Sequence, residues 1–350
     1  MTTIYIAIPD ALLVVQRQQD GSWRGKRRLE GMPAQCIATD PLRPQIVYCG
    51  TFGRGLWRSV DAGATWRQVG EGAVRSPQIM AIAVSGVERS GTQGAQGQHG
   101  VVYAGTEPSA LYRSEDGGQT WHELTELLAL PSATTWSFPP RPHLSHVRTI
   151  GLDRSAAGRL YVAIEAGALV RSVDGGRTWE DRRPGGPFDT HTLGLPSQRP
   201  GCIYAAAGDG FVASRDAGDT WERPSAGLEY HYLWGLAVDP GDPDTLIVSA
   251  AHSPNQAHNP TAAESAIYRR ASGSAWQRVA DGLPAEHGML GSVLVANQAE
   301  PGVFYAANNQ GLYRSADTGR SWEQLNVLDI PWPEGRAALT PRPADMTAVD

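Results

Sequence analysis

Lysine is almost missing from this 350-residue chain: its 30 basic residues are all arginine except Lys26, and 36 acidic residues leave a formal charge of −6. The one basic run, Lys26-Arg27-Arg28, reads as a solvated turn, so no patch that tracks phosphates is present and nucleic acid is not an expected partner. Cysteine is scarce as well. Cys36, Cys49 and Cys202 are odd in number and sit at no metal-ligand spacing, which excludes a disulfide framework and a zinc ribbon and points to a reducing compartment. No stretch nears the roughly 20 apolar residues that span a bilayer. The opening Ile4-Tyr5-Ile6-Ala7-Ile8 has no charged segment before it and no Ala-x-Ala site after it. The expectation is a cytoplasmic protein with no membrane partner.

What the chain does have is turn residues and tryptophan. It carries 40 Gly and 25 Pro, and 11 Trp against 5 Phe and 5 Met. With 41% hydrophobic residues it can bury a large core, and the turn content suits many short strands.

One phrase explains much of the tryptophan. Ser59 to Trp66, Ser114 to Trp121, Ser172 to Trp179, Ser214 to Trp221 and Ser315 to Trp322 all fit Ser-x-Asp-x-Gly-x-Thr/Ser-Trp. Two worn copies end at Trp23 and Trp276. Around each lie short β-like segments, such as Cys36-Ile37-Ala38-Thr39, Ile46-Val47-Tyr48-Cys49 and Gly55-Leu56-Trp57-Arg58, four per unit. Seven units of four strands predict an all-β fold, a seven-bladed β-propeller of four-stranded antiparallel blades. The chain begins at a second strand and ends on Met346-Thr347-Ala348-Val349-Asp350, which reads as an inner strand. The C-terminal strand is therefore expected to complete the N-terminal blade, which removes an open edge. On this reading residues 1–350 form one domain, with blade one made of 1–31 plus 345–350 and later blades starting near 35, 79, 147, 191, 233 and 291.

The repeated phrase is the Asp-box, or bacterial neuraminidase (BNR) repeat, and over essentially its whole length the sequence resembles the Asp-box propeller superfamily. That group includes sialidases, xyloglucan-active glycosidases, sortilin-type receptors and photosystem II assembly factors of the Ycf48 type. A single seven-bladed unit looks most similar to the last of these and its bacterial relatives. The resemblance implies that the box turns lie on the periphery, so Asp61, Asp116, Asp174, Asp216 and Asp317 are not expected in a site. Sialidase activity is disfavoured because the Arg-Ile-Pro motif of those enzymes is absent. Xyloglucan-active relatives use two propellers around a cleft, where this chain has one.

Propeller ligands sit at a channel mouth built from second-to-third-strand loops and from loops leading into the inner strands. Aligned inner strands place Gln35, Met80, Arg148, His191, Trp234, Gly291 and Asp345 at one level, a mixed polar and aromatic ring that a purely structural repeat does not need. Histidines crowd the same loops. His146, His191, His231, His252 and His287 are candidate ligands for one divalent transition metal, Zn, Fe, Cu or Ni, since neutral imidazole is a common ligand for all four. Glu107 and Glu165 follow their strands at equivalent positions on neighbouring blades and are candidate acid/base groups, with Arg148 as an anion anchor. Arg54, Asp209, Tyr232, Trp234 and Trp136 are candidate ligand-binding residues, and Trp332 lies in a further loop of that face.

Two functional classes follow. One is an enzyme with a metal-dependent site at the channel mouth, a hydrolase, lyase or oxygenase acting on a small organic molecule or a glycan, with glycosidase activity placed lower. The other is a non-catalytic binding or assembly scaffold. The long loops Leu124 to Ser145, Ala251 to Ser265 and Leu325 to Ala344 are candidate surfaces for a protein partner.

Overall fold

A computed structural model describes residues 2–90, 99–330 and 345–350. Trp332 and most of the 325–344 loop therefore lie outside the described residues. Seven antiparallel sheets follow one another around a ring, and the inner strand of each packs beside the inner strand of the next. Blade one takes its inner strand from the C-terminus: Asp345–Val349 pairs with Thr3–Ile8, which pairs with Ala11–Arg17 and then Trp23–Arg28. The two-residue strand Val327–Leu328 adds a short parallel pairing outside it. The closure expected from the two chain ends is thus the observed one.

Inner strands of the next six blades are Ala34–Asp40, Ile79–Ser90, Val147–Leu152, Thr190–Gly194, Tyr232–Val238 and Val293–Ala296. Blades four and five carry three full strands, and their fourth is reduced to single bridges, Arg171 to Glu180 and Ala213 to Glu222. Within the described residues no helix is long and apolar enough to cross a membrane.

The Asp-box is a self-contained knot of hydrogen bonds. In blade two the Ser59 hydroxyl donates to Asp61 Oδ1 (2.8 Å) and accepts from the Gly63 amide (2.8 Å). The Thr65 amide and hydroxyl both donate to the Asp61 carboxylate, and the Trp66 indole N–H caps the Gly63 carbonyl. Hydrogen bonds from Thr65 and Ser59 hold the Asp61 carboxyl down at about 2. Gly63 sits at φ 84° and follows Ala62 at φ 55°, so the turn needs two left-handed residues in a row. A Cβ on Gly63 would lie 3.1 Å from Tyr5 of blade one, and one on Gly118 would lie 3.2 Å from Tyr48 of blade two. These two boxes are thus wedged against the buried second-strand tyrosine of the blade before, and the box carboxylates are spent on architecture.

Candidate active site at the narrow channel mouth

Five inner strands share one irregularity. The pairing register slips by one residue between Ala34 and Cys36, Ile79 and Ala81, Val147 and Thr149, Thr190 and Thr192, and Leu233 and Gly235. The extra residues are Gln35, Met80, Arg148, His191 and Trp234, the members of the ring expected from strand alignment. A β-bulge leaves its extra residue unpaired and re-aims its side chain. Here five equivalent bulges turn five side chains to one end of the channel, where they line a cavity of ≈ 90 Å³ together with Asp345. Gly291, the ring position of blade seven, precedes its strand and donates its amide to the Ala257 carbonyl.

Beside this mouth, blades three, four and five contribute a continuous polar network. Glu107, 1% exposed, accepts from Arg141 (2.7 Å), and the same oxygen lies 3.1 Å from His146 Nδ1. His146 reaches Glu165 through Nε2 (2.8 Å), and Arg148 Nε lies 3.4 Å from that same carboxylate oxygen. Burial opposes ionisation of Glu165, yet the His146 hydrogen bond and the Arg148 charge outweigh it and hold the carboxyl down at about 2. Arg148 also lies over the Trp234 ring, 4.5 Å from its centroid.

His191 stands at the other side of Glu165. Its Nδ1 is 2.6 Å from the Leu233 carbonyl, which only accepts, so Nδ1 carries a proton and Nε2 turns toward the cluster. Nε2 is 3.6 Å from Asp189 Oδ2 and 3.3 Å from the Tyr232 hydroxyl, which is closer (2.8 Å) to His258 Nε2. Burial pushes the His191 imidazole down and the Asp189 carboxyl up from their ordinary values. The Ala166 amide donates to Asp189 Oδ1 (3.0 Å) and orients the carboxylate. One ligating atom from each of Glu165, Asp189 and His191 lies within 4.8 Å of the others, and no further set of this kind occurs among the described residues.

The structure brings together Glu107, Glu165, Arg148, His146, His191, Tyr232 and Trp234, and leaves the other expected residues outside. His231, His252 and His287 are exposed, His252 lying against the Tyr230 ring, so the ring of five histidines does not form. Their loops reach the same face, but the side chains turn to solvent. Arg54 is exposed at a hairpin tip, and Asp209 is exposed and held by Arg223 (2.7 Å). Trp136 is 8% exposed and donates to Ser132 Oγ (3.0 Å) inside the packed 124–146 loop, so it is core and not a ligand wall. Trp234, also 8% exposed, is enclosed by Arg148, His191 and His258.

Asp189, Arg141 and His258 were missed as site residues. Asp189 had a signal: it lies two residues before the ring histidine, just ahead of the bulge. Arg141 had none, and His258 had only its place in the 251–265 loop, which returns to Tyr232 and Trp234 of its own blade.

At the far end of the same inner strands the channel widens to ≈ 370 Å³ and is lined by apolar side chains such as Leu152, Leu193, Leu195 and Leu236 together with Arg154, Gln198 and Asp239.

Comparisons with known proteins agree with this architecture. The family model for the BNR/Asp-box repeat matches residues 112–123, the box of blade three. A xyloglucanase from Paenibacillus sp. is 28% identical over 222 residues, covering 53% of this chain and 20% of its own, so the chain spans about a fifth of that relative's length. Among solved structures, a GH74 enzyme from Niastella koreensis superposes with a TM-score of 0.65 at 17% identity, over 91% of this chain and 53% of the other. YCF48 bound to D1 peptide superposes with a TM-score of 0.55 at 16% identity, over 83% and 81%. These relatives give glycosidases more weight than the sequence reading did. The chain is a seven-bladed β-propeller built on Asp-box repeats.

Proposed function

We propose that the narrow channel mouth is a glycan-acting hydrolytic site. The observation that carries this reading is the convergence of Glu165, Asp189 and His191 beside Arg148 at the bulged end of the inner strands. Cleaving a glycosidic bond takes either a pair of carboxyl groups placed about it or a water activated at a protein-held cation. Both routes need carboxylates held in fixed orientation with access for one water. Here Glu165 is kept ionised by His146 and Arg148, while Asp189 is fixed through its other oxygen by the Ala166 amide. Gln35 and Arg148 on the ring supply donors for sugar hydroxyls. Glu107 and Arg141 position His146, and through it Glu165.

The enzyme relatives support the glycan class, and xyloglucan oligosaccharides are the first substrates to try. The test is release of reducing ends from xyloglucan and from unsubstituted β-glucan oligosaccharides. We expect turnover that falls at least 100-fold in Glu165→Gln and in Asp189→Asn, with the fold intact by circular dichroism. Full activity in both variants overturns the reading.

A second reading, a peptide-binding scaffold, is favoured by one observation: the chain overlays 81% of the YCF48 propeller but 53% of the GH74 enzyme. Peptide binding with no turnover on any glycan decides for it.

A further inference from the structure

We infer that Glu165, Asp189 and His191 form a binding site for one divalent transition cation. This rests on the hydrolytic reading only for what the cation would do, not for whether it binds.

The argument starts from a distance. His191 Nε2 and Asp189 Oδ2 are 3.6 Å apart, too far for a hydrogen bond. Two ligands each about 2.1 Å from a tetrahedral ion stand roughly 3.4 Å apart, so the observed gap matches a pair that shares a cation. Glu165 brings a third ligand atom within 4.8 Å of both.

The surroundings are those of a ligand set. Each ligand is held from outside the trio: His191 Nδ1 at the Leu233 carbonyl, Asp189 Oδ1 at the Ala166 amide, and the Glu165 carboxylate, through Oε2, at His146. Such outer contacts fix tautomer and orientation, and ligating histidines characteristically have them. His191 is 2% exposed, so its ring cannot swing out to solvent. Space is kept for the Asp189 carboxylate as well, because a Cβ on Gly208 would come 2.1 Å from Oδ2. The Tyr232 hydroxyl also approaches Nε2, at 3.3 Å, and is closer to His258.

One imidazole and two carboxylates suit Zn²⁺ or Mn²⁺ over Ca²⁺, which prefers an all-oxygen shell of six to eight ligands. Three protein ligands leave positions open for water or sugar hydroxyls, as in catalytic rather than structural metal sites.

The test is calorimetric titration of chelator-stripped full-length protein with Zn²⁺, Mn²⁺ and Ca²⁺, together with visible spectra of the Co²⁺ form. We expect one Zn²⁺ per chain, Ca²⁺ binding weaker by 100-fold or more, and Co²⁺ bands that Zn²⁺ abolishes. Asp189→Asn and His191→Ala should each weaken Zn²⁺ at least 100-fold, whereas a variant with His231, His252 and His287 all changed to alanine should bind as wild type. If His191→Ala misfolds, Asp189→Asn, which keeps the side-chain shape, carries the test alone. No stoichiometric binding, or binding lost only in the triple variant, overturns the inference. Zn²⁺ binding without glycan turnover would leave the cation site standing and defeat the hydrolytic reading; turnover that survives chelation in a protein that binds no cation would do the reverse.

Discussion

The two ends of the channel are made by the same inner strands and differ in width and in bulging, with five strands bulged at one end and two at the other. At the bulged end, Gln35, Arg148, His191 and Asp345 line a ≈ 90 Å³ cavity, with Glu165 and Asp189 beside it. At the other end the cavity is ≈ 370 Å³, and leucines and valines line it beside Arg154, Gln198, Asp239 and Asp345. The contrast teaches that the bulge, more than the blade, sets which side chains face the mouth of this ring. Each one breaks strict alternation at a single position and sends one side chain to the mouth.

The largest expected effect tests whether the narrow end is electrostatically tense. Glu165→Ala leaves His146 without its buried acceptor and Arg148 without its counterion, which should cost about 3–5 kcal/mol in urea unfolding. Leu195→Ala at the half-buried wide end should cost about 1 kcal/mol. Equal costs would erase the distinction.

Asp345 gives the contrast a pH dependence. Burial in the channel raises its carboxyl to about 6, despite the amides of Ile37 and Met346 that donate to it. A carboxyl raised on folding favours the protonated native state, so its contribution is complete below pH 4 and is lost as pH rises through 6. The difference is at most about 3 kcal/mol, since part of the side chain faces the open lumen. Wild type should therefore gain stability from pH 7 to pH 4.5, and Asp345→Asn should gain less. Glu165 acts in the opposite sense, but only below pH 4.5, where its depressed carboxyl begins to matter.

Two glycines separate space from chemistry. Gly208→Ala pushes on the Asp189 carboxylate and Gly194→Ala on Val238, whose Cγ2 would stand 2.7 Å from the new Cβ. Both should cost about 1–3 kcal/mol. Only Gly208→Ala should reduce glycan turnover.

The smallest effect belongs to the periphery. Asp61→Ala removes a box carboxylate that accepts from Ser59 and Thr65, costing about 1 kcal/mol with no change in ligand binding. Altered binding in that variant would return the boxes to the list of functional candidates.

Much of this architecture was legible in the sequence for local reasons. An Asp-box closes its hydrogen bonds within eight residues, so seven copies, five intact and two worn, announced seven blades. The terminal strand half-pairs announced the closure. The mouth ring was legible because the inner strands align and because Arg148, His191 and Asp345 are costly to place on a purely structural surface. The trio of Glu165, Asp189 and His191 was only partly visible. Its geometry depends on the Leu233 carbonyl of the next blade and on the Ala166 amide, which no spacing in one blade encodes. For the same reason loop membership misassigned His231, His252 and His287: position in a loop sets which face a residue is near, not where its side chain points.

The central claim is that ligand binding belongs to the bulged end. Titration of a xyloglucan oligosaccharide into wild type, Arg148→Met and Leu195→Gln tests it most directly. The account predicts binding that Arg148→Met weakens at least tenfold and Leu195→Gln leaves unchanged. Binding that survives Arg148→Met and is lost in Leu195→Gln would place the ligand at the wide end and contradict it.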